Sequence, residues 1–406
     1  MYGELKEILE AHGQLHVLKW WNELDEAGRA RLARQIGRID WNLLSRAKEY
    51  SAKKRGTIAP IDGLDLEEIA ARREEFFATG RGALRAGKVA CVLLAGGQGT
   101  RLGSDAPKGT YDIGVTKPLY IFEQLIRNLQ RAVSLCGAYV PLYVMTSEEN
   151  DGATRAFFKE HSFFGYPQEE VSFFRQEMAP AVDFNGKLLM SAKDSLALSP
   201  NGNGGWYASL VRAGLADEAA RRGVEWYNVF AVDNVLQRMA DPVFVGATIA
   251  SGRATGAKFV RKAYPEERVG VLCLEDGLPS VIEYYELNES MANARDGAGR
   301  LVYACGMTLN YLFRADVLRE IASARLPVHV ARKKVPCIDE MGVLTEPAAE
   351  NGCKFETLIL DMIRCAGSCL PFEVEREREF APIKNRTGAD SVDTARALLE
   401  KNGVQL

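Results

Sequence analysis

The segment with the clearest chemical content is Leu94-Ala95-Gly96-Gly97-Gln98-Gly99-Thr100-Arg101-Leu102-Gly103. Clustered glycines let a backbone turn sharply and bring bare N–H groups against an anion, at the strand ends where open α/β sheets receive ligands. Arg101 follows within the segment, and Lys108 comes soon after in Pro107-Lys108-Gly109. A phosphate held by backbone amides between two cations suits phosphoryl or nucleotidyl transfer, whose transition state is mostly charge to be stabilised. Two commoner phosphate loops fail on spacing. A P-loop needs GxxxxGK[ST], but Leu102 stands five residues after Gly97. The dinucleotide fingerprint GxGxxG also meets Leu102 where its third glycine belongs.

Other chemistries are poorly supplied. Among four histidines, His12 and His16 form an HxxxH without the glutamate of a metalloprotease helix, so no metal is expected there. Ser-His and Cys-His hydrolysis has few histidines to draw on. Eight cysteines, at 91, 136, 273, 305, 337, 353, 365 and 369, show no CxxC pair. Cys365 and Cys369 are expected on one face of a helix, packed as small hydrophobes. The start Met1-Tyr2-Gly3-Glu4-Leu5-Lys6 lacks a basic stretch leading into an apolar one, so no secretion signal is read. A cytoplasmic protein with free thiols is expected. The net charge of −3, from 51 Lys+Arg and 54 Asp+Glu, argues against bulk electrostatic binding of nucleic acid. No apolar run reaches the ~20 residues of a membrane span.

The elements that must position this loop are legible from periodicity. Val89-Ala90-Cys91-Val92-Leu93-Leu94 is a continuous apolar run, the mark of a strand buried on both faces. Similar runs lie at Tyr139 to Met145, Glu225 to Val232, Ala257 to Val260 and Val269 to Leu274. Amphipathic stretches at Leu119 to Cys136 and Ala208 to Arg222 separate them, predicting an α/β fold with a mainly parallel sheet. Before Lys88 the pattern is helical: Leu5, Ile8 and Leu9, then Trp20, Trp21 and Leu24, then Leu32, Ile36 and Ile39, then Leu43, Leu44 and Ala47. The cluster Lys53-Lys54-Arg55 reads as a solvated helix end, and Ile58 to Gly63 as a turn-rich connector. Asp390-Ser391-Val392-Asp393 opens a last helix that Gly403 stops. The expected organisation is a helical extension over 1–85, an α/β catalytic domain over 86–385, and a short helical segment over 386–406.

The loop, together with Pro107-Lys108-Gly109-Thr110-Tyr111-Asp112, resembles the signature of UDP-N-acetylhexosamine pyrophosphorylases, within the UDP-sugar uridylyltransferases. The resemblance runs from about Gln14 to about Ala397. It is carried further by Met145-Thr146-Ser147, Phe173-Phe174-Arg175-Gln176, Pro200-Asn201-Gly202-Asn203-Gly204-Gly205 and Val232-Asp233-Asn234. Later come Val281-Ile282-Glu283-Tyr284, His329 to Pro336, Asn351-Gly352-Cys353-Lys354 and Ala381-Pro382-Ile383-Lys384-Asn385. It implies a Rossmann-like nucleotidyltransferase core, and a monomer that joins UTP to N-acetylglucosamine 1-phosphate, giving UDP-N-acetylglucosamine and pyrophosphate. A phosphate dianion is already a nucleophile, so such an enzyme needs alignment and charge neutralisation rather than a general base.

By the same resemblance, the backbone of Leu94, Ala95, Gly96 and Gly97 cradles the nucleotide, and Gln176 with Gly202 reads the uracil edge. Arg101 and Lys108 face the triphosphate as catalytic cations, and Lys354 also contacts the phosphates. Asn203, Glu283 and Tyr284 touch the sugar, and Lys384 approaches the sugar phosphate. Asp233 ends an apolar strand, where a carboxylate serves a hard Mg²⁺ that takes one or two carboxylates plus phosphate oxygens. No second carboxylate ligand is identifiable.

One position departs from the family. Where members carry Asn-Ala-Gly-Asn, this chain reads Ala304-Cys305-Gly306-Met307, replacing an amide by a thioether beside the sugar. The C-terminal region is also shorter than in eukaryotic members. Met307 favours an alternative substrate, glucose or galactose 1-phosphate. A non-catalytic UDP-sugar sensor would not need to keep Arg101, Lys108, Asp233, Lys354 and Lys384 together. An NAD-dependent oxidoreductase is disfavoured by the failed GxGxxG and the missing ribose-binding acid.

Overall fold

The computed structural model describes residues 1–44, 55–324 and 326–406. Ala47, Lys53 and Lys54 lie outside these. Two compact units emerge. The larger comprises the described parts of Arg55–Gln176, Trp206–Arg325 and Leu360–Leu406; the smaller comprises those of Met1–Lys54, Glu177–Gly205 and Leu326–Ile359. These units are cut elsewhere than at residues 85 and 385, because the apolar faces of the first helices find their partners in later segments of chain.

In the smaller unit, helices Tyr2–Ala11 and Glu26–Ile36 bury Leu5, Leu9, Leu32 and Ile36. These pack with Val182, Leu188, Leu196 and Phe355. Asp25 caps the second helix, accepting the Gly28 N–H at 2.7 Å, as an N-cap carboxylate does. Strands His329–Lys333, Gly352–Glu356 and Val182–Asp183 form a three-stranded antiparallel sheet. His12 stacks on Trp41 with ring centroids 4.1 Å apart, and His16 Nε2 meets the Leu188 carbonyl oxygen at 2.8 Å. Both histidines are thus used in packing.

The larger unit is built on a ten-stranded sheet. Its parallel half runs Trp226–Ala231, Val89–Leu94, Leu142–Thr146, Val171–Arg175. Around the other half Cys305–Arg314 lies antiparallel to both Trp226–Ala231 and Thr255–Arg261, and Val271–Glu275 pairs antiparallel with Leu278–Ile282. Val89–Leu94 is buried along its whole length, as a strand covered on both faces must be. The connector contributes a two-residue edge strand, Ile58–Ala59, against Leu274 and Glu275.

Helix Ile121–Cys136 buries Ile121, Phe122, Leu125, Ile126 and Leu129 on one face and ends at Gly137, whose φ of 71° suits a left-handed C-cap. Helices Arg73–Arg85 and Pro242–Ala250 cross at Gly80 and Gly246. A Cβ on Gly80 would sit 1.8 Å from the Pro242 carbonyl oxygen, and one on Gly246 1.8 Å from that of Phe76, so only glycine permits this approach. The amphipathic stretch Ala208 to Arg222 forms two helices, Trp206–Arg212 and Leu215–Arg221, split at Gly214 with φ of 74°.

The last helix, Val392–Lys401, starts on a capping box between Ser391 and Thr394. Cys365 and Cys369 do not share a helix. The helix Ile359–Cys365 stops before Gly367, left-handed at φ 73°, and Cys369 opens a strand. Cys365 is exposed and Cys369 buried, and all eight cysteines are free thiols. Among the described residues no helix is long and apolar enough to cross a membrane.

Candidate active site

The parallel strands of the larger unit end at Leu94, Thr146, Arg175 and Ala231, and their carboxyl ends share one edge. Ligands of open α/β sheets bind at such an edge. The loops leaving it carry Gly96 and Gly97, Ser147, Gln176 and Asp233. Two sheet-type bonds continue past the strands: Ala95 N–H donates to the Met145 carbonyl at 2.8 Å, and Val232 N–H to the Leu94 carbonyl at 3.1 Å. Leu94 and Ala95 are therefore partly committed to the sheet. Among the described residues nothing accepts the N–H of Gly96 or Gly97.

The loop folds back on itself. Gly99 N–H donates to the Ala106 carbonyl at 2.9 Å and Lys108 N–H to the Gly97 carbonyl at 3.1 Å. This closure brings Lys108 beside the glycines. A Cβ on Gly96 would lie 3.0 Å from Gln176 Oε1, so the absent side chain at Gly96 leaves room for the Gln176 carboxamide against the loop.

Lys108 is half-buried. Burial pushes its ammonium pKa down, the Asp233 carboxylate pulls it up, and the Arg101 and Lys384 charges push it down. Asp233, Arg101 and Lys384 therefore all bear on the Lys108 charge at this edge. Lys384 is brought there by the main chain: Ile383 N–H donates to the Asp233 carbonyl at 2.8 Å. The Lys384 ammonium itself pairs with Asp390 at 2.9 Å.

The Asp233 carboxylate, half-buried, takes no hydrogen bond or ion pair among the described residues. A partnerless hard-oxygen ligand suits a divalent cation better than it suits the interior of a protein. No cluster of three metal-ligating side chains occurs among the described residues.

Glu283 and Tyr284 occupy the turn after Leu278–Ile282. The Glu283 carboxyl is raised in pKa by burial and by the Glu286 charge, while Arg55 and Lys384 pull it down. Met307 is nearly buried on strand Cys305–Arg314, and its N–H donates to the Gly270 carbonyl at 2.9 Å. The Glu283 carboxylate oxygens would lie 3.7 Å from a Cβ at Gly270.

The sequence-expected residues Gly202, Asn203 and Lys354 belong to the smaller unit. Gly202 has φ of 89°, and a Cβ there would meet the Thr357 carbonyl oxygen at 2.2 Å. Asn203 Oδ1 accepts the Ile359 N–H at 3.0 Å, a structural bond. Lys354 lies on Gly352–Glu356, opposite Ala331.

The whole chain is similar to known proteins in sequence and fold. The sequence profile of a family described as UTP--glucose-1-phosphate uridylyltransferase matches residues 37–401. The chain belongs to that family. A human protein named UDP-N-acetylhexosamine pyrophosphorylase-like protein 1 is 39% identical, over 98% of this chain and 83% of its own length. UDP-N-acetylglucosamine pyrophosphorylase of Saccharomyces cerevisiae is 35% identical, over 98% of this chain and 90% of its own. The crystal structure of the Trypanosoma brucei UDP-N-acetylglucosamine pyrophosphorylase in complex with inhibitor superposes with a TM-score of 0.82 at 30% identity, covering 97% of this chain and 83% of that one.

Within this uridylyltransferase-family chain, sequence reasoning passed over three residues that hold the site together. Asn150 is fully buried; its Nδ2 donates to the Ala95 carbonyl at 3.0 Å and the Gly97 carbonyl at 3.4 Å, and its Oδ1 accepts the Ser147 N–H at 2.8 Å. Asn234 Nδ2 donates to the Glu379 carbonyl and its Oδ1 accepts the Ala381 N–H, fixing the segment that leads to Lys384. Arg55, read as part of a solvated cluster, instead clasps Glu286 through Nε at 3.0 Å and Nη2 at 2.6 Å, and reaches Glu275 at 3.0 Å. Glu286 in turn accepts the Glu283 N–H at 3.0 Å. The spacing Ser147-x-x-Asn150 was a legible signal for the first, since a polar pair three apart brackets a helix start. Arg55 left no local signal, because its partners are more than two hundred residues away in sequence.

Proposed function

We propose that this chain is a nucleotidyltransferase that joins UTP to N-acetylglucosamine 1-phosphate, releasing pyrophosphate. The observation that carries the reading is the backbone closure that sets Lys108 against the glycine loop and the Lys384 segment against Asp233, with Arg101, Lys384 and Asp233 all bearing on the Lys108 charge. Attack by a sugar phosphate on the α-phosphorus needs no base; it needs in-line placement and neutralisation of the departing pyrophosphate. On this reading the amides of Gly96 and Gly97 receive the nucleotide phosphates. Arg101 and Lys108 take the charge that grows on pyrophosphate, where preorganised cations count most. Lys384 receives the sugar phosphate, Gln176 reads uracil, and Glu283 with Tyr284 meets the sugar.

Asp233 would hold Mg²⁺, which when bound supplies Lewis-acid charge to the phosphate oxygens. Gly202, Asn203 and Lys354 enter the reading on the sequence resemblance. The relatives named for UDP-N-acetylglucosamine support the hexosamine substrate. Met307 supports a second reading, in which glucose or galactose 1-phosphate is the substrate.

The deciding experiment is pyrophosphate release from UTP and Mg²⁺ across a panel of sugar 1-phosphates. Release with N-acetylglucosamine 1-phosphate is expected, and no release with any of them would overturn the enzyme reading.

A further inference from the structure

A cavity of about 360 Å³ opens where strand Thr255–Arg261 ends, lined by Arg261, Lys262, Tyr264, Arg295 and Arg300 among others. No acidic side chain lines it among the described residues, and it includes none of the glycine loop, Asp233 or Lys384. Two of its cations are already compensated: Arg261 forks onto Glu373 at 3.0 and 2.9 Å, and Arg300 pairs with Asp296 at 2.9 Å. Among the described residues the other two, Lys262 and Arg295, form no direct ion pair.

Lys262 is only 7% exposed, yet among the described residues its ammonium bonds just one neutral acceptor, the Pro265 carbonyl, at 2.6 Å. The neighbouring Glu267 carboxylate is engaged elsewhere, by Arg376 at 2.8 Å and by the Ala263 N–H at 2.7 Å. Arg295 likewise donates only to a carbonyl, that of Gly299, at 2.8 Å. Burial lowers the Lys262 pKa, and the Glu267 and Glu266 carboxylates offset this only in part, so the net shift is downward. An anion entering the cavity would complete that compensation.

We propose that this cavity is a second anion site that binds a small phosphorylated molecule, with Lys262 and Arg295 supplying the counter-charge. Lys262 and Arg295, neither in a direct ion pair among the described residues, match one phosphomonoester, which carries about −1.5 to −2 at pH 7. The exposed ring of Tyr264 offers an apolar face to the organic part, and the volume exceeds what phosphate alone fills. The site also touches the strand that bears Met307. Lys262 N–H and Gly306 N–H both donate to the Ala304 carbonyl, at 2.9 and 2.8 Å, so an occupant bears on the sugar side of the larger unit.

The test is thermal unfolding of the full chain at constant ionic strength, titrated with inorganic phosphate and separately with glucose 6-phosphate. A ligand that binds only the folded state raises the midpoint. Three variants apportion the effect: Lys262→Met, Arg295→Ala and, at the glycine loop, Lys108→Met. Glucose 6-phosphate is expected to raise the midpoint of wild type and of Lys108→Met alike. In Lys262→Met and Arg295→Ala the half-maximal concentration should rise at least about tenfold. Arg295 is exposed, so its variant keeps the test open if Lys262→Met fails to fold. A shift retained in Arg295→Ala and Lys262→Met, or lost in Lys108→Met, would place the anion at the glycine loop and overturn the proposal. No shift in wild type overturns it too. Inorganic phosphate acting at the same or lower concentration than the ester would overturn the organic part of the assignment.

Discussion

Lys384 Nζ lies 2.9 Å from Asp390 Oδ2, and the Lys384 N–H donates to the Asp390 main-chain carbonyl at 2.7 Å. Side chain and backbone together close the turn 384–390 on itself. A lysine expected to meet the sugar phosphate is therefore held by a carboxylate that competes for it. Both partners are more than a third exposed, so the pair contributes at most ~1 kcal/mol to stability.

Asp390→Asn should leave the unfolding midpoint nearly unchanged and raise kcat/KM for the sugar 1-phosphate by up to about fivefold, as removal of a weak competitor would. The measurement is steady-state kinetics with the sugar phosphate varied at saturating UTP. A fall in kcat/KM would mean that Asp390 aims Lys384 rather than competing with the substrate.

Asn150→Ala removes the clamp on the Ala95 and Gly97 carbonyls. Leaving buried groups unsatisfied costs about 1–3 kcal/mol each, so a destabilisation near that size is expected in urea unfolding. Because the clamp is on the loop proposed to receive the nucleotide, KM for UTP should rise more than KM for the sugar phosphate. Equal rises would show that the loop keeps its shape without Asn150.

Asp233→Ala should lower kcat by about a hundredfold or more while changing UTP affinity little, since a metal ligand acts mainly on charge that develops during reaction. Normal turnover of the variant at low Mg²⁺ would remove Asp233 from the metal site.

The Glu283 carboxyl is raised from its ordinary pKa by partial burial and by the Glu286 charge. The folded state then holds this proton more tightly than the unfolded state. Its stability is full below about pH 4.3, the unfolded value, and is lost as pH rises through the folded pKa. Glu283→Gln should therefore match wild type near pH 4 and be more stable than wild type at pH 8. Denaturant midpoints at the two pH values give the answer, and a variant less stable at pH 8 would contradict the assignment.

Met307→Asn should sharpen discrimination between N-acetylglucosamine 1-phosphate and glucose 1-phosphate. An apolar contact separates such substrates by only ~1–3 kcal/mol, whereas a site that hydrogen-bonds a substrate group rejects its analogue far more strongly. Comparing kcat/KM for both sugars in wild type and variant decides it. A wild-type preference beyond about a thousandfold, unchanged by the substitution, would take specificity away from Met307.

The sequence alone determined the parts of this protein that depend on local pattern. The apolar run Val89–Leu94 had to be a strand covered on both faces, and the glycines after it had to be a loop with bare amides. Ser391 and Gly403 marked the last helix because capping and stopping are properties of a few adjacent residues. The motifs around Arg101, Lys108, Asp233 and Lys384 were likewise read in place. Tertiary structure decided what each side chain meets. Helices Tyr2–Ala11 and Glu26–Ile36 looked like the start of one extension, yet they complete a unit with strands from Val182 to Glu356, since an amphipathic face specifies that it must be buried and not by what. Arg55 clasps Glu286, Asn150 holds the glycine loop, and Asp390 holds Lys384. Lys262 is buried with no direct ion pair among the described residues. Charge and burial depend on distance in space, and chain folding alone sets those distances.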